Sequence, residues 1–234
     1  HWRKTYFSTP SSIQHEAFAL WSGDRFNKKR PKDERIALDL SHDRLAGGFT
    51  GQDKIWWQIV TIVDAMRNEV NADFAFLNLC GVRTDIKNGP VTYRDIFQVM
   101  PFDNMVVSFR CTGEFLRRII ETRVEGGRHG LVVSGVNVVY SKKRPNFDRV
   151  TSLKIGGQPW DRNKIYTCTT TDFLMQGNAG LTLLTQVPQE DIVFHQINLR
   201  DAIVNYFRQK SPIRTKIDDR WKRDDNAKPT KEML

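Results

Sequence analysis

Cysteine is scarce in this chain: three in 234 residues, at Cys80, Cys111 and Cys168. The number is odd, no two have Cys-x-x-Cys spacing, and each lies in a strand-like run. They therefore read as buried, reduced thiols, and disulfides give no support for secretion. Long apolar runs are also missing. No stretch approaches the roughly 18 residues that a membrane-crossing helix needs, so no spanning segment is expected. Histidine is sparse and dispersed, with His1, His15, His42, His129 and His195 standing singly. A two-metal hydrolytic centre needs His and carboxylate ligands in clusters, and none is written here. Ser41-His42-Asp43 lacks a second ligand at metal spacing and reads as a capped turn. Neither a nucleophile-triad motif nor a phosphate-cradling glycine loop is evident. The expectation is that this chain, taken alone, hydrolyses nothing and carries no catalytic residue, metal or cofactor of its own.

Acidic residues are outnumbered. Against 27 Asp and Glu stand 36 Lys and Arg, a net charge of +9. Such a field favours acidic partners such as phosphate, anionic lipid or nucleic acid without defining a site. The densest run, Asn27 to Arg35, has too few aromatics near it for a base-stacking platform, so it reads as a solvated loop rather than a nucleic-acid patch. Hydrophobic content of 39% is ordinary for a soluble globular protein, and the length suffices for one large core or two small ones. The chain opens on His1 rather than Met and nothing reads as a signal peptide, so either a leader has been removed or this is part of a longer product. A basic chain with unpaired thiols is compatible with an organelle interior.

Periodicity supplies the elements. Ile55, Trp56, Ile59, Val60, Ile62, Val63, Met66 and Val70 fall at helical spacing and predict a helix over 55–70 with one broad buried face. An apolar run of strand length follows from Ala72 to Leu79. It breaks at Gly81, which sets Asn78 and Arg83 at a polar turn, a common way of holding side chains at a cleft. Thr92-x-x-Asp95 predicts a helix N-cap, and Pro101 stops that helix one step before Phe102, delivering the ring on a loop. Strands are predicted at 105–111, 131–134, 136–140, 149–155 and 166–171, with breaks at Gly135 and Gly156-Gly157. Thr112 and Asn198-x-x-Asp201 cap two further helices. Strands in pairs between helices give an α+β class with mixed sheets.

The spaced positions Ala72-Asp73, Asn78, Gly81-Val82-Arg83, Ile86, Gly89, Thr92-Tyr93, Asp95 and Pro101-Phe102-Asp103-Asn104 carry a resemblance. Together with Asp64-Ala65-Met66, Thr112-Gly113, Tyr166 and Phe173 through Gly180, they resemble the C-terminal, substrate-recognition domain of the 5'-nucleotidase and UDP-sugar hydrolase family. The likeness covers residues 55 to 217. It implies that Phe102 and Phe173 sandwich a nucleobase, that Arg83 addresses phosphate or ribose oxygens, and that Asn78 lies near the base or ribose. Three positions depart from the family pattern. Gln52 falls where an upstream arginine is expected, Leu79 and Cys80 replace two glycines, and Gly177-Asn178-Ala179-Gly180 stands for Gly-Gly-Asp-Gly, leaving Asn178 as the stand-in for a ribose-binding carboxylate. In that family two divalent ions are held by a separate metallophosphatase domain, whose motifs this sequence does not contain.

The organisation that follows is an extended charged arm over 1–50, a 5'-nucleotidase C-terminal-like domain over 51–217 and a frayed polar tail over 218–234. Two functions fit. One is the nucleotide- or nucleoside-recognition domain of a phosphohydrolase, partnered with a metallophosphatase domain; the resemblance then implies the periplasm or the cell exterior. The other is a catalytically inactive subunit with a structural role in a larger assembly, an organelle interior being compatible with it, using the arm and the exposed-looking Trp2, Trp21 and Trp221.

Overall fold

The structure is a computed structural model that describes residues 36–38, 51–84, 89–124, 131–211, 213 and 220–233. Most of the 1–50 arm, including Trp2, Trp21 and the Ser41-His42-Asp43 turn, lies outside those residues, as do Gly126, Gly127 and Gly130. In chain order the elements are β1 (Ile36–Leu38), α1 (Gly51–Glu69), β2 (Phe74–Asn78), β3 (Gly89–Val91), α2 (Tyr93–Val99), β4 (Met105–Thr112), α3 (Gly113–Val124), β5 (Leu131–Ser134) and β6 (Val136–Tyr140). They continue with β7 (Val150–Ile155), β8 (Gln158–Pro159), β9 (Ile165–Thr171), α4 (Asp172–Met175), β10 (Ile192–Asn198), α5 (Leu199–Lys210) and β11 (Trp221–Arg223). β1 and β3 form a short antiparallel ribbon. A five-stranded sheet runs β10-β4-β9-β2-β5, and a four-stranded sheet runs β11-β6-β7-β8. This is the expected α+β arrangement.

The core forms where α1 lies on the five-stranded sheet. Strand β2 is buried at all five positions, Phe-Ala-Phe-Leu-Asn, because helices and strands cover both its faces. Phe74 and Phe76 stack with centroids 5.3 Å apart, and Phe76 meets Phe109 of β4 edge-on at 6.2 Å. Val60, Val63 and Met66 bring the apolar face of α1 onto them. Burying each such side chain contributes about 1.5–3 kcal/mol.

Local chemistry sets the boundaries. Thr92 and Asp95 form a full capping box at the start of α2: the Thr92 N–H donates to Asp95 Oδ2 at 2.7 Å and the Asp95 N–H to Thr92 Oγ1 at 3.4 Å. Thr112 accepts from the Phe115 N–H at 3.2 Å, so the last residue of β4 also caps α3. Gly135 takes φ +84°, and a Cβ there would lie 2.1 Å from the Asp73 carbonyl oxygen, so only glycine lets the chain pass from β5 in one sheet to β6 in the other.

The C-terminal segment corrects the expectation of a frayed tail. Residues 221–223 add to the four-stranded sheet as a strand parallel to β6, with Trp221 opposite Val138. The Trp221 ring is half-buried and meets Tyr140 edge-on at 6.0 Å, so it is not an exposed anchor. Further on, Thr230 N–H donates to Thr151 O at 2.8 Å and Met233 is buried. The tail is held by charge as well as by pairing. Arg220 binds both oxygens of Asp64 on α1 at 2.8 Å each and donates to Val133 O at 3.0 Å. Ser134 donates to the same carboxylate and accepts from Arg67 Nε at 2.9 Å.

Asp64→Ala removes the acceptor shared by Arg220 and Ser134, leaving a largely buried guanidinium unmatched. The expected loss is about 2–3 kcal/mol in urea unfolding. A loss below about 0.5 kcal/mol, the range of ordinary surface substitutions, would show that the tail is held by strand pairing alone.

Candidate functional site

The register of the central sheet decides which residues meet. β2 runs parallel to β9, with Phe74 opposite Cys168 and Ala75 opposite Thr169. β4 runs antiparallel to β9, with Val106 opposite Thr171. The carboxyl ends of β2 and β9 and the amino end of β4 therefore lie along one end of the sheet. Asn78 closes β2, Asp172-Phe173 follow β9 directly, and Phe102 precedes β4 by three residues. Three of the expected site residues thus share one edge for topological reasons.

Two anchors fix the aromatic loops there. The Asp172 carboxylate accepts from the Phe173 N–H at 2.8 Å and, through the same oxygen, from the Met105 N–H at 3.0 Å, tying the Phe173 turn to the base of the Phe102 loop. Arg200, on the first turn of α5, donates to Phe102 O at 2.7 Å and Met100 O at 3.3 Å, pairs with Asp103, and lies 4.8 Å over the Phe97 ring. Its side chain is only 8% exposed. Held by these groups, Phe102 and Phe173 remain 43% and 36% exposed, unlike Phe74, Phe76 and Phe109 of the inner strands.

The remaining site residues divide. Arg83 is exposed, and its backbone N–H donates to Val99 O at 2.9 Å, which docks the turn after β2 against the end of α2. Asn78 is buried rather than projecting at the mouth. Asn178 donates its side-chain amide to Phe173 O at 2.8 Å and so braces the turn that carries the ring. Gly177 takes φ +82° and Ala179 φ 56°, left-handed conformations that wrap this loop under Phe173. Ala179 packs its methyl against the core, so no carboxylate stands in this loop. Leu79 is half-buried and Cys80 exposed in a short 3-10 turn after β2.

Asp172 and Arg200 were not singled out from the sequence. Arg200 carried a usable signal: a basic residue two places after the N-cap Asn198 sits where the helix dipole disfavours positive charge, which points to a specific partner elsewhere. Its carbonyl and carboxylate partners are that partner set.

The edge strand β10 is held to β4 partly by a side-chain pair. Ser108 Oγ and His195 Nε2 are 2.7 Å apart. Burial pushes the His195 pKa down, and the Glu69 carboxylate opposes this only in part.

The two-sheet α+β arrangement is similar to that of the 5'-nucleotidase precursor from Thermus thermophilus, with a TM-score of 0.65 and 23% identity over 71% of this chain and 35% of that one. The chain belongs to the family "5'-nucleotidase, C-terminal domain", which matches residues 59–186. It is 28% identical over 154 residues to the apyrase of Tabanus yao, covering 58% of this chain and 27% of that protein. It also shows a likeness of another kind: 52% identity over 68 residues to the terminase ATPase subunit of Escherichia phage P2, covering 29% of this chain and 12% of that protein. The chain spans well under two thirds of each of these relatives.

Two outcomes follow from the anchors. Arg200→Ala leaves two carbonyls and a carboxylate without their shared donor and is expected to cost about 2–3 kcal/mol in urea unfolding. Arg200→Lys should recover less than half of that, because an ammonium cannot fork between them. Equal stability of the Ala and Lys variants would remove the fork from the account. For His195, a folded-state pKa below the unfolded value means the unfolded chain binds more protons. Stability should therefore fall as pH drops from about 6.5 toward the folded-state pKa, and His195→Gln should lose that dependence. Superimposable pH–stability profiles for the two proteins would contradict it.

Proposed function

We propose that this chain is the nucleotide- or nucleoside-recognition part of a 5'-nucleotidase-type phosphohydrolase, acting with a dimetal catalytic domain that lies outside the chain. The observation that carries this reading is the pair of exposed phenylalanine rings, Phe102 and Phe173, at adjacent strand ends and tied together by Asp172. A nucleobase has two apolar faces, and stacking on an aromatic side chain contributes about 1–3 kcal/mol per base. Arg83, exposed beyond the turn after β2, supplies a planar guanidinium suited to phosphate or ribose oxygens. Asn78 and Asn178 act from beneath: the first as buried floor at the strand end, the second by holding the Phe173 turn. The divalent ions of catalysis belong to the other domain, and this chain's part is to select and orient. The compartment that goes with this reading is the periplasm or cell exterior. Among the described residues no helix is long and apolar enough to cross a membrane.

A second reading, a catalytically inactive subunit with a structural role in a larger assembly, is favoured by one observation. The loop beneath Phe173 offers the Ala179 methyl where the family pattern has a carboxylate. The terminase likeness is too short a share of that protein to bring its activity here, and the sequence carries no phosphate-cradling glycine loop.

Calorimetry of the chain with AMP, adenosine and UDP-sugars separates the two. The recognition reading expects micromolar binding that weakens about tenfold or more in each of Phe102→Ala and Phe173→Ala. Flat traces at millimolar ligand would reject it and leave the structural reading.

A further inference from the structure

From the middle of the same β4–β9 ladder toward its opposite end lie two cysteines, Cys168 and Cys111. Cys111 stands opposite Tyr166 and Cys168 opposite Phe109, so the pair lies diagonally across neighbouring strands on one face of the sheet. Their Sγ atoms are 3.4 Å apart. Cys168 has no exposed surface, whereas Cys111 is 8% exposed and forms part of the wall of a cavity of about 240 Å³. Thr112, Phe115, Ile165 and Val187 complete most of that wall, and Arg110 and Asp191, 3.7 Å apart, stand at its rim. A water molecule's share of liquid volume is about 30 Å³, so the cavity has room for several molecules of that size.

We propose that Cys111 and Cys168 form a redox pair, in which a small peroxide entering this cavity oxidises Cys111 and Cys168 then closes a disulfide between β4 and β9. In the first step the Cys111 sulfur attacks the nearer peroxide oxygen. The O–O bond breaks, Cys111 becomes a sulfenic acid, and the other oxygen leaves as water, or as an alcohol from an alkyl hydroperoxide. In the second step the Cys168 sulfur attacks the Cys111 sulfur. The S–S bond forms, the S–O bond breaks, and the hydroxyl leaves as water with the Cys168 proton. Two thiols and one peroxide thus give one disulfide and two waters, the peroxide being the two-electron oxidant.

The order of attack follows from the surroundings. Of the two, only Cys111 contributes to the cavity wall and keeps exposed surface, and burial together with the neighbouring Cys111 thiol pushes the Cys168 pKa well up, so Cys168 enters second. The sulfurs must close from 3.4 Å to about 2.05 Å. Diagonal neighbours are offset along the strands, so the bridge pulls β4 and β9 lengthwise against each other. Those are the strands whose other ends carry the Phe102 and Phe173 loops.

The test treats the 234-residue chain, carrying Cys80→Ser to remove the exposed thiol, with hydrogen peroxide and follows intact mass and peptide maps. The expected product has lost two hydrogen atoms, joins the Cys111 and Cys168 peptides, and reverts with dithiothreitol. It should form faster as pH rises, since the resolving thiol must ionise. Adding Cys111→Ser should abolish the bridge and leave Cys168 unoxidised. Ile165→Trp, at the half-exposed cavity wall, should slow bridging severalfold while thermal unfolding is unchanged. Thiols that survive peroxide in the folded chain, Cys111 advancing to sulfinic acid without a bridge, or Cys168 oxidising equally well without Cys111 would each overturn the proposal.

Discussion

Seven consecutive residue pairs join β4 to β9, from Val106 opposite Thr171 to Thr112 opposite Ile165. The ladder lies at the centre of the five-stranded sheet, and its register assigns every other feature a place. At one end it aligns the start of β4 with the finish of β9, so two loops distant in sequence emerge side by side. Toward the other it sets Cys111 and Cys168 diagonally on one face. A shift of one residue would turn each side chain to the opposite face, and the buried threonines make such a shift costly. Thr169 and Thr170 are fully buried, yet their hydroxyls donate to Val107 O and Phe76 O at 3.0 Å each. A slipped register would strand those hydroxyls without acceptors.

A fixed ladder does not by itself hold two exposed rings. Charged groups supply the rest. One carboxylate oxygen of Asp172 takes amide protons from both loops, and the Arg200 fork takes carbonyls on either side of Pro101. Such charge-assisted bonds are stronger than neutral ones, and a guanidinium that is mostly buried is stable only while they are made. Backbone thus carries the Phe102 loop and charge locks it, which leaves the ring itself free of packing duty. An apolar ring kept at the surface by rigid surroundings is pre-organised for a flat apolar partner, and that is the physical content of the recognition reading.

Much of this was legible in the sequence because its causes are local. The Thr92–Asp95 capping box, the Thr112 and Asn198 caps, the break at Gly135 and the delivery of Phe102 by Pro101 all follow from side chains within a few residues of the feature. The α+β class followed from the alternation of strand pairs and helices. What was not legible depends on partners far along the chain. β11 is three residues amid charged neighbours and exists only because β6 offers an edge and Asp64 meets Arg220 across 156 positions. Asn178 reads as a ligand residue from the sequence, and its brace on the Phe173 carbonyl appears only in the fold. Asn78 reads as a cleft residue until both faces of β2 are covered. β10 hides its period behind a register shift near Gln196, which adopts φ 54°.

The account's central claim is that the two aromatic loops form one rigid unit through Asp172. Residue-resolved amide hydrogen exchange in wild type and Asp172→Ala tests it most directly. The account predicts strong protection of the Met105 and Phe173 amides in wild type and its loss in the variant, with the β4–β9 ladder amides from Val106 to Cys111 unchanged. Met105 and Phe173 exchanging alike in both proteins, while the ladder stays protected, would contradict it.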